Sequence, residues 1–142
     1  AEDVVVHNYR ADLKPESKLA PASGTKARLK HDVFAHSAST EIHKTYGPMF
    51  NPATPDEVKK GQKEKLAQRY DLIETLLGDG RPYLTGQTFA TVDAYLFTVT
   101  RWAAATGVDL SAFPKLLDFQ VRVAERPAVK AALEAEGLLK AA

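Results

Sequence analysis

The side chains that can do chemistry cluster between His31 and Tyr46. His36, Thr40 and His43 recur at i, i+4 and i+7, which on one helix puts all three on a single face able to line a cleft. A histidine there can polarise a substrate, or it can simply pair with a neighbour on the helix surface. Metal binding is not expected. A helical histidine pair for a metal prefers i, i+4 spacing, whereas His31, His36 and His43 are five and seven apart. Asp32 and His36 have the right spacing but make only two ligands. Tyr46 and Trp102 can form an aromatic substrate wall, although core packing is the more common use of such rings. Asp93 opens an apolar stretch. A carboxylate in a first helical turn accepts hydrogen bonds from unpaired backbone N–H groups and meets the positive end of the dipole, so a structural role is expected for it.

Composition narrows the classes. The chain has 142 residues, 44% apolar and 26% charged, as in an ordinary soluble domain. Nineteen basic and 18 acidic residues leave a net charge of +1, so no basic field favours nucleic acid. Lys59, Lys60, Lys63 and Lys65 read as a solvated helix face. Cysteine is absent, which excludes a disulfide, a thiolate metal site and a cysteine nucleophile within these residues. No apolar run approaches the ~18 residues of a membrane span. AEDVVVHNYR lacks the basic start and long apolar core of a signal peptide. A cytoplasmic location is the default expectation.

The elements that must position these residues are helices. Glu2 to Ala11 reads as a short helix, and Asp12 to Thr25, with Pro15, Pro21 and Gly24, as a linker. A second helix runs from Lys26 to about Tyr46, with Leu29, Val33, Phe34, Ala38 and Ile42 as its apolar side, and stops at Gly47-Pro48. Thr54 is placed as the N-cap of a third, with Pro55 at its first position and Glu57 completing a capping box. Its buried stripe is Leu66, Tyr70, Ile73 and Leu77. From Thr91, Val92, Leu96, Val99 and Ala103 mark one face of a helix that is apolar nearly all round, hence buried on every side. Pro114 starts another helix with Leu116, Phe119 and Val123 inward and an Asp118–Arg122 pair on its surface. Pro127 starts the last, with Val129, Ala132 and Leu133 inward and Gly137 as its cap. The expected fold is all-α, a bundle around the helix that begins with Asp93.

Several stretches carry a more specific signal: ADLKPESKLAP, TEIHKTYGPMF, the run from GRPYLTG through VDAYLF to RWA, and RVAERPAVKAALEAEGL. Together they strongly resemble bacterial glutathione S-transferases, most closely the beta class, over essentially the whole chain. The resemblance implies a C-terminal all-α domain at 25–142, preceded at 1–24 by the last helix of a thioredoxin-like domain and a linker. In the family the thioredoxin-like part binds glutathione and holds the catalytic cysteine or hydroxyl. The all-α part supplies most of the wall for a hydrophobic electrophile.

On that resemblance, Glu2 matches the acidic residue that contacts the γ-glutamyl end of glutathione. The next position, usually small, is Asp3, a negative charge where the glutathione carboxylate would sit. His43 matches a histidine facing the active-site cleft, taken as the catalytic residue, and Lys44 follows as in the family. His36 stands where an asparagine near the thiol is common. Glu2, His36 and Lys44 are the expected glutathione-binding residues, and Ala90 replaces the usual cap hydroxyl of the central helix, at a cost of roughly 1 kcal/mol if nothing compensates. The expected function is conjugation of glutathione to hydrophobic electrophiles by a homodimer, with glutathione as co-substrate, this chain supplying the electrophile wall and much of the dimer interface. Taken alone, the chain is expected to show little or no transferase activity. The alternative is a non-catalytic interaction or scaffold domain of the same shape.

Overall fold

The apolar run after Ala90 becomes the axis of the molecule. In the computed structural model, which describes residues 3–139, it forms α5 (Thr91–Thr100). Ahead of it come α1 (Asp3–Leu13), α2 (Lys26–Ser37), the single turn α3 (Lys44–Tyr46) and the long α4 (Asp56–Leu77). After it come α6 (Trp102–Thr106), α7 (Pro114–Ala124) and α8 (Pro127–Ala135). The described residues form no strand, only an isolated bridge between Tyr83 and Gly86. No helix among them is long and apolar enough to cross a membrane. The all-α expectation holds.

α5 packs against α1, α2 and α7. Val92, Leu96, Val99 and Ala103 are buried, as their spacing predicts, and Tyr95, Phe97, Asp93 and Thr100 are buried with them. The helix is shorter than its apolar pattern, because Arg101 makes a turn before α6. Thr100 stands at this break. Its buried hydroxyl donates to the carbonyls of Leu96 at 2.8 Å and Phe97 at 3.2 Å, and such back-bonding loosens and bends a helix.

Asp93 meets its expectation and exceeds it. It is fully buried. One carboxylate oxygen accepts the Ala90 N–H at 2.8 Å, and the other accepts the Leu84 N–H at 2.8 Å. The second bond ties the preceding loop to the helix. That loop closes through Tyr83 and Gly86, which exchange backbone hydrogen bonds, and Gly86 has φ +130°, a region that disfavours any side chain. Ala90 supplies no hydroxyl cap, so Asp93 carries the helix start alone. At the far end of the chain, Gly137 (φ +66°) closes α8 with its own N–H to Glu134 and the Leu138 N–H to Leu133, the double bond pattern of a glycine-terminated helix.

The second helix departs most from its pattern. Leu29 and Val33 are 67% and 58% exposed, while Arg28, His31 and Ala35 face inward. The polar residues turn in because they find full sets of partners there. Beyond Ser37 the chain continues as a π-helical segment, Ala38–His43, then α3, then a 3-10 turn, Gly47–Phe50. Gly47-Pro48 tightens the helix before it ends rather than stopping it. The wider π turn, with its i→i+5 bonds, resets which residues share a face.

At α4 the cap lies one residue later than expected: Pro55 is the N-cap, with no side-chain cap bond. Proline leaves no N–H to satisfy, and Asp56 and Glu57 put carboxylates in the first turn, where the dipole favours them. Leu66, Tyr70 and Leu77 are buried and Ile73 packs at the core's edge, as predicted. Leu116, Phe119 and Val123 of α7 are completely buried. Of the α8 residues expected inward, Leu133 is buried and Val129 packs against the core, but Ala132 is exposed. Arg122 donates to the Pro82 carbonyl at 3.1 Å, and no ion pair joins it to Asp118.

Within the core, the hydroxyls of Tyr46 and Tyr70 meet at 2.6 Å, both residues wholly buried. Burial pushes the Tyr46 phenol up and the Tyr70 phenol far above its usual range, so both stay uncharged. Each hydroxyl is the other's partner. Tyr70→Phe strands the Tyr46 hydroxyl and is expected to cost about 1–2 kcal/mol, whereas replacing both tyrosines by phenylalanine should recover most of that loss. A double-mutant cycle by urea unfolding checks it. Strict additivity of the two single changes would count against the pairing.

Candidate functional site

α5 and the π segment together create the site. The π turn advances His43 so that it faces α5, where its Nδ1 lies 2.8 Å from the Tyr95 hydroxyl. Trp102, at the start of α6, stands edge-on to His43 with ring centres 4.8 Å apart. From the other side α1 contributes Asp3 and His7. The Asp3 carboxylate lies 3.7 Å from His43 Nδ1, and the His7 ring meets Tyr95 edge-on at 5.5 Å. These residues, with Ala94, Thr98 and Val99, line a cleft of about 240 Å³. Burial holds the His7 imidazole below its ordinary value, against a smaller upward pull from the Asp3 carboxylate.

The sequence-predicted residues separate. His43 lines the cleft. Glu2 lies outside the described residues. His36 and Thr40 do not share the cleft with His43, because the π turn breaks the continuous α-helical spacing that would align them. Both are exposed. The His36 Nδ1–H donates to the Asp32 carbonyl at 2.8 Å, and Thr40 donates to the His36 carbonyl at 3.0 Å. Lys44 is exposed and outside the cleft lining. Tyr46 is buried in the core, whereas Trp102 lines the cleft. Trp102 is backed by Tyr46 at 5.7 Å and Phe50 at 5.5 Å.

His7 and Tyr95 were not legible as site residues. Tyr95 carried one usable signal: a phenol on a buried helix needs a polar partner. His7 stands one turn after Asp3 in a valine-rich helix, a polar pair on one face of α1.

A second polar cluster braces the site from behind. Arg28 is 7% exposed. It makes a two-pronged pair with Asp12 at 2.8 and 3.0 Å and also donates to Asp32 at 3.1 Å and to the Pro21 carbonyl at 3.1 Å. The same Asp32 oxygen accepts from Asn8 at 2.9 Å and lies 3.0 Å from His31 Nδ1. His31 is completely buried, and its Nε2 lies 3.0 Å from the Thr91 hydroxyl, while the Thr91 N–H donates to the Leu19 carbonyl at 2.8 Å. Thus α1, the linker, α2 and the first residue of α5 form one connected network. His31 is thereby a bracing residue, with both ring nitrogens engaged.

Comparison with known proteins gives this arrangement a family. The model of the glutathione S-transferase C-terminal domain matches residues 37–127. The chain is 37% identical over 137 residues to the glutathione S-transferase GstA of Escherichia coli O157:H7, covering 96% of this chain and 68% of the relative. A glutathione transferase from Methylococcus capsulatus superposes with a TM-score of 0.95 at 45% identity, over 98% of this chain and 68% of that one. A sphingomonad glutathione S-transferase complexed with glutathione gives 0.91 at 37% identity, over 98% and 69%. Sequence and helical architecture agree, and the chain belongs to the glutathione S-transferase family.

Proposed function

We propose that this chain forms the electrophile side of a glutathione-conjugating site, with His43 beside the sulfur. The observation that carries the reading is the cleft itself. It has an imidazole and a tyrosine at one end, Trp102 and Val99 as apolar wall, and α1, the helix assigned to the thioredoxin-like part, across from them. A site of this kind accelerates conjugation by holding an apolar electrophile next to a stabilised thiolate in a poorly hydrated pocket. Residues 1–24 would then be the last piece of the glutathione-binding unit, and 25–142 the all-α domain. Glu2 is assigned to the γ-glutamyl end of glutathione, with His36 and Lys44 as outer glutathione contacts.

The test joins this chain to the N-terminal third of a relative such as GstA and measures glutathione-dependent turnover of a chloronitrobenzene. The joined protein is expected to turn over and the chain alone to show little or none. His43→Ala should lower turnover of the joined protein about tenfold or more. A folded but inactive chimera would favour the scaffold reading, and turnover by the chain alone would overturn the division of labour.

We also propose a homodimer that covers the groove between α2 and α4. Val33 and Leu72, 58% and 62% exposed, flank a hollow lined by Phe34, Ile73 and Leu76, apolar side chains that a second copy of the chain would take out of water. Gel filtration over a concentration series should show association that Leu72→Glu abolishes. A monomer at every concentration would count against it.

A further inference from the structure

The cleft contains a juxtaposition that the conjugation reading does not use. Asp3, on the first turn of α1, and His43, at the end of the π segment, face each other across the cleft. The carboxylate oxygen of Asp3 is 3.7 Å from Nδ1 of His43, and the Tyr95 oxygen is 2.8 Å from the same nitrogen. Among the described residues Nε2 has no hydrogen-bond partner. The ring is held edge-on by Trp102 at 4.8 Å and Tyr95 at 5.9 Å.

Both neighbours of Nδ1 are oxygens, and one carries a full negative charge. A proton on Nδ1 is attracted by the carboxylate and donates to the phenol oxygen. A proton-free Nδ1 would turn its lone pair toward that charge. The tautomer of an imidazole follows from what its inner nitrogen meets. We propose that Asp3 is a positioning residue that, with Tyr95, keeps the ring proton of His43 on Nδ1 and so leaves Nε2 a proton acceptor toward the cleft. This deepens the conjugation reading and rests on it for the identity of the acid, a thiol. The thiol S–H bond breaks with its electron pair remaining on sulfur, and the proton bonds to Nε2. The imidazolium faces the Asp3 carboxylate until it returns the proton to water. The other groups around the pair are His7, whose ring packs on Tyr95, and the apolar face of Trp102.

The same charge has an opposite effect on binding, because it repels an anionic ligand. Asp3→Asn is therefore expected to tighten glutathione binding while reducing ionisation of the bound thiol, a split that loss of packing would not produce.

Two measurements test this. The first uses the chain itself with nitrogen-15-labelled histidine, at a pH above the imidazole range, with His43 assigned by its loss in His43→Gln. Long-range proton–nitrogen correlations read the tautomer. The free ring prefers its proton on Nε2, so Nδ1–H at His43 is diagnostic. Wild type should show Nδ1–H, and both Asp3→Asn and Tyr95→Phe should move the proton toward Nε2. Nε2–H in wild type, or no change in Asp3→Asn, overturns the proposal. The second uses the joined protein and the ultraviolet absorbance of bound glutathione thiolate at neutral pH. Asp3→Asn should lower the thiolate fraction about threefold, given the partly exposed, screened pair. A rise would show that Asp3 only repels the sulfur and would overturn the proposal. The tautomer measurement needs neither glutathione nor turnover, so failure of the conjugation reading and failure of this one are separable.

Discussion

Asp93→Ala is expected to destabilise the chain by about 2–5 kcal/mol, because two buried N–H groups, those of Leu84 and Ala90, lose the acceptor they have among the described residues, each at a cost of about 1–3 kcal/mol. For a chain of this length that corresponds to a fall in Tm of about 10–20 °C. Asp93→Asn should fall between, since an amide keeps one acceptor and points its NH₂ at the other donor. Thermal unfolding followed by circular dichroism reads both. A loss no larger than that of an exposed alanine substitution would show that the loop and the helix start are held by packing alone.

The same carboxyl predicts an unusual pH response. Burial pushes Asp93 up to about 6, against the pull of its two N–H bonds and of Arg126. Between the unfolded value near 4 and about pH 6 the folded chain holds the proton that the unfolded chain has released. The Asp93 contribution is therefore largest below that window and falls as pH rises through it. Asp32 behaves oppositely. Burial works to raise its carboxyl, but hydrogen bonds from His31, Asn8 and Arg28 more than reverse this and hold it below the usual range. Its contribution is complete above about pH 4 and is lost as pH falls further. His7, held low by burial, loses its contribution as pH falls below the ordinary histidine range. Its slope opposes that of Asp93 near pH 6, so the Asp93 effect is read as the difference between wild type and Asp93→Asn across pH 4–7, which should shrink or vanish with rising pH.

The parts of the fold that the residues announce are those where a single period governs. Val92, Leu96 and Val99, or Leu116, Phe119 and Val123, bury what their spacing says they will, and Asp93 does what a carboxylate in a first turn does. The second helix defeats its apolar pattern because its inward face is polar. Hydrophobic periodicity picks Leu29 and Val33, but Arg28 and His31 are the buried pair, paid for by partners 16 and 60 residues away in sequence. No local pattern displays such partners. The π segment has the same character, since nothing in ASTEIH marks the extra residue per turn. Regular α-helical spacing without that turn puts His36 and Thr40 beside His43, and it gives no sign that Tyr95 and His7 are its neighbours. His43 is legible both as a member of that spaced set and through the resemblance of the EIHK stretch.

The second large effect follows from that buried pair. Arg28→Leu preserves bulk but removes every bond joining α1 and the linker to α2 through this side chain. Asp12 then sits at the last turn of α1, the negative end of the helix dipole, with no cation to offset it. Asp32 keeps only His31 and Asn8. Removing one partner from a fully buried ion pair costs about 3–5 kcal/mol, but both carboxylates here reach water, 46% and 30% exposed. A fall in Tm of about 5–10 °C is the expected result. The loss should be local first. Amide hydrogens of α1 are expected to exchange much faster in the variant while those of α5 keep most of their protection. The low-pH loss of stability should flatten, because Asp32 no longer gains as much by ionising in the folded state. Unchanged exchange in α1 would show that its apolar contacts, chiefly Val4 and Ala11, hold it without the arginine. If α1 does loosen, Asp3 and His7 move with it, since they are mounted on no other element. The distance between the Asp3 carboxylate and His43 is then set by Arg28, at the opposite end of the helix, and the tautomer of His43 in Arg28→Leu should drift in the same direction as in Asp3→Asn.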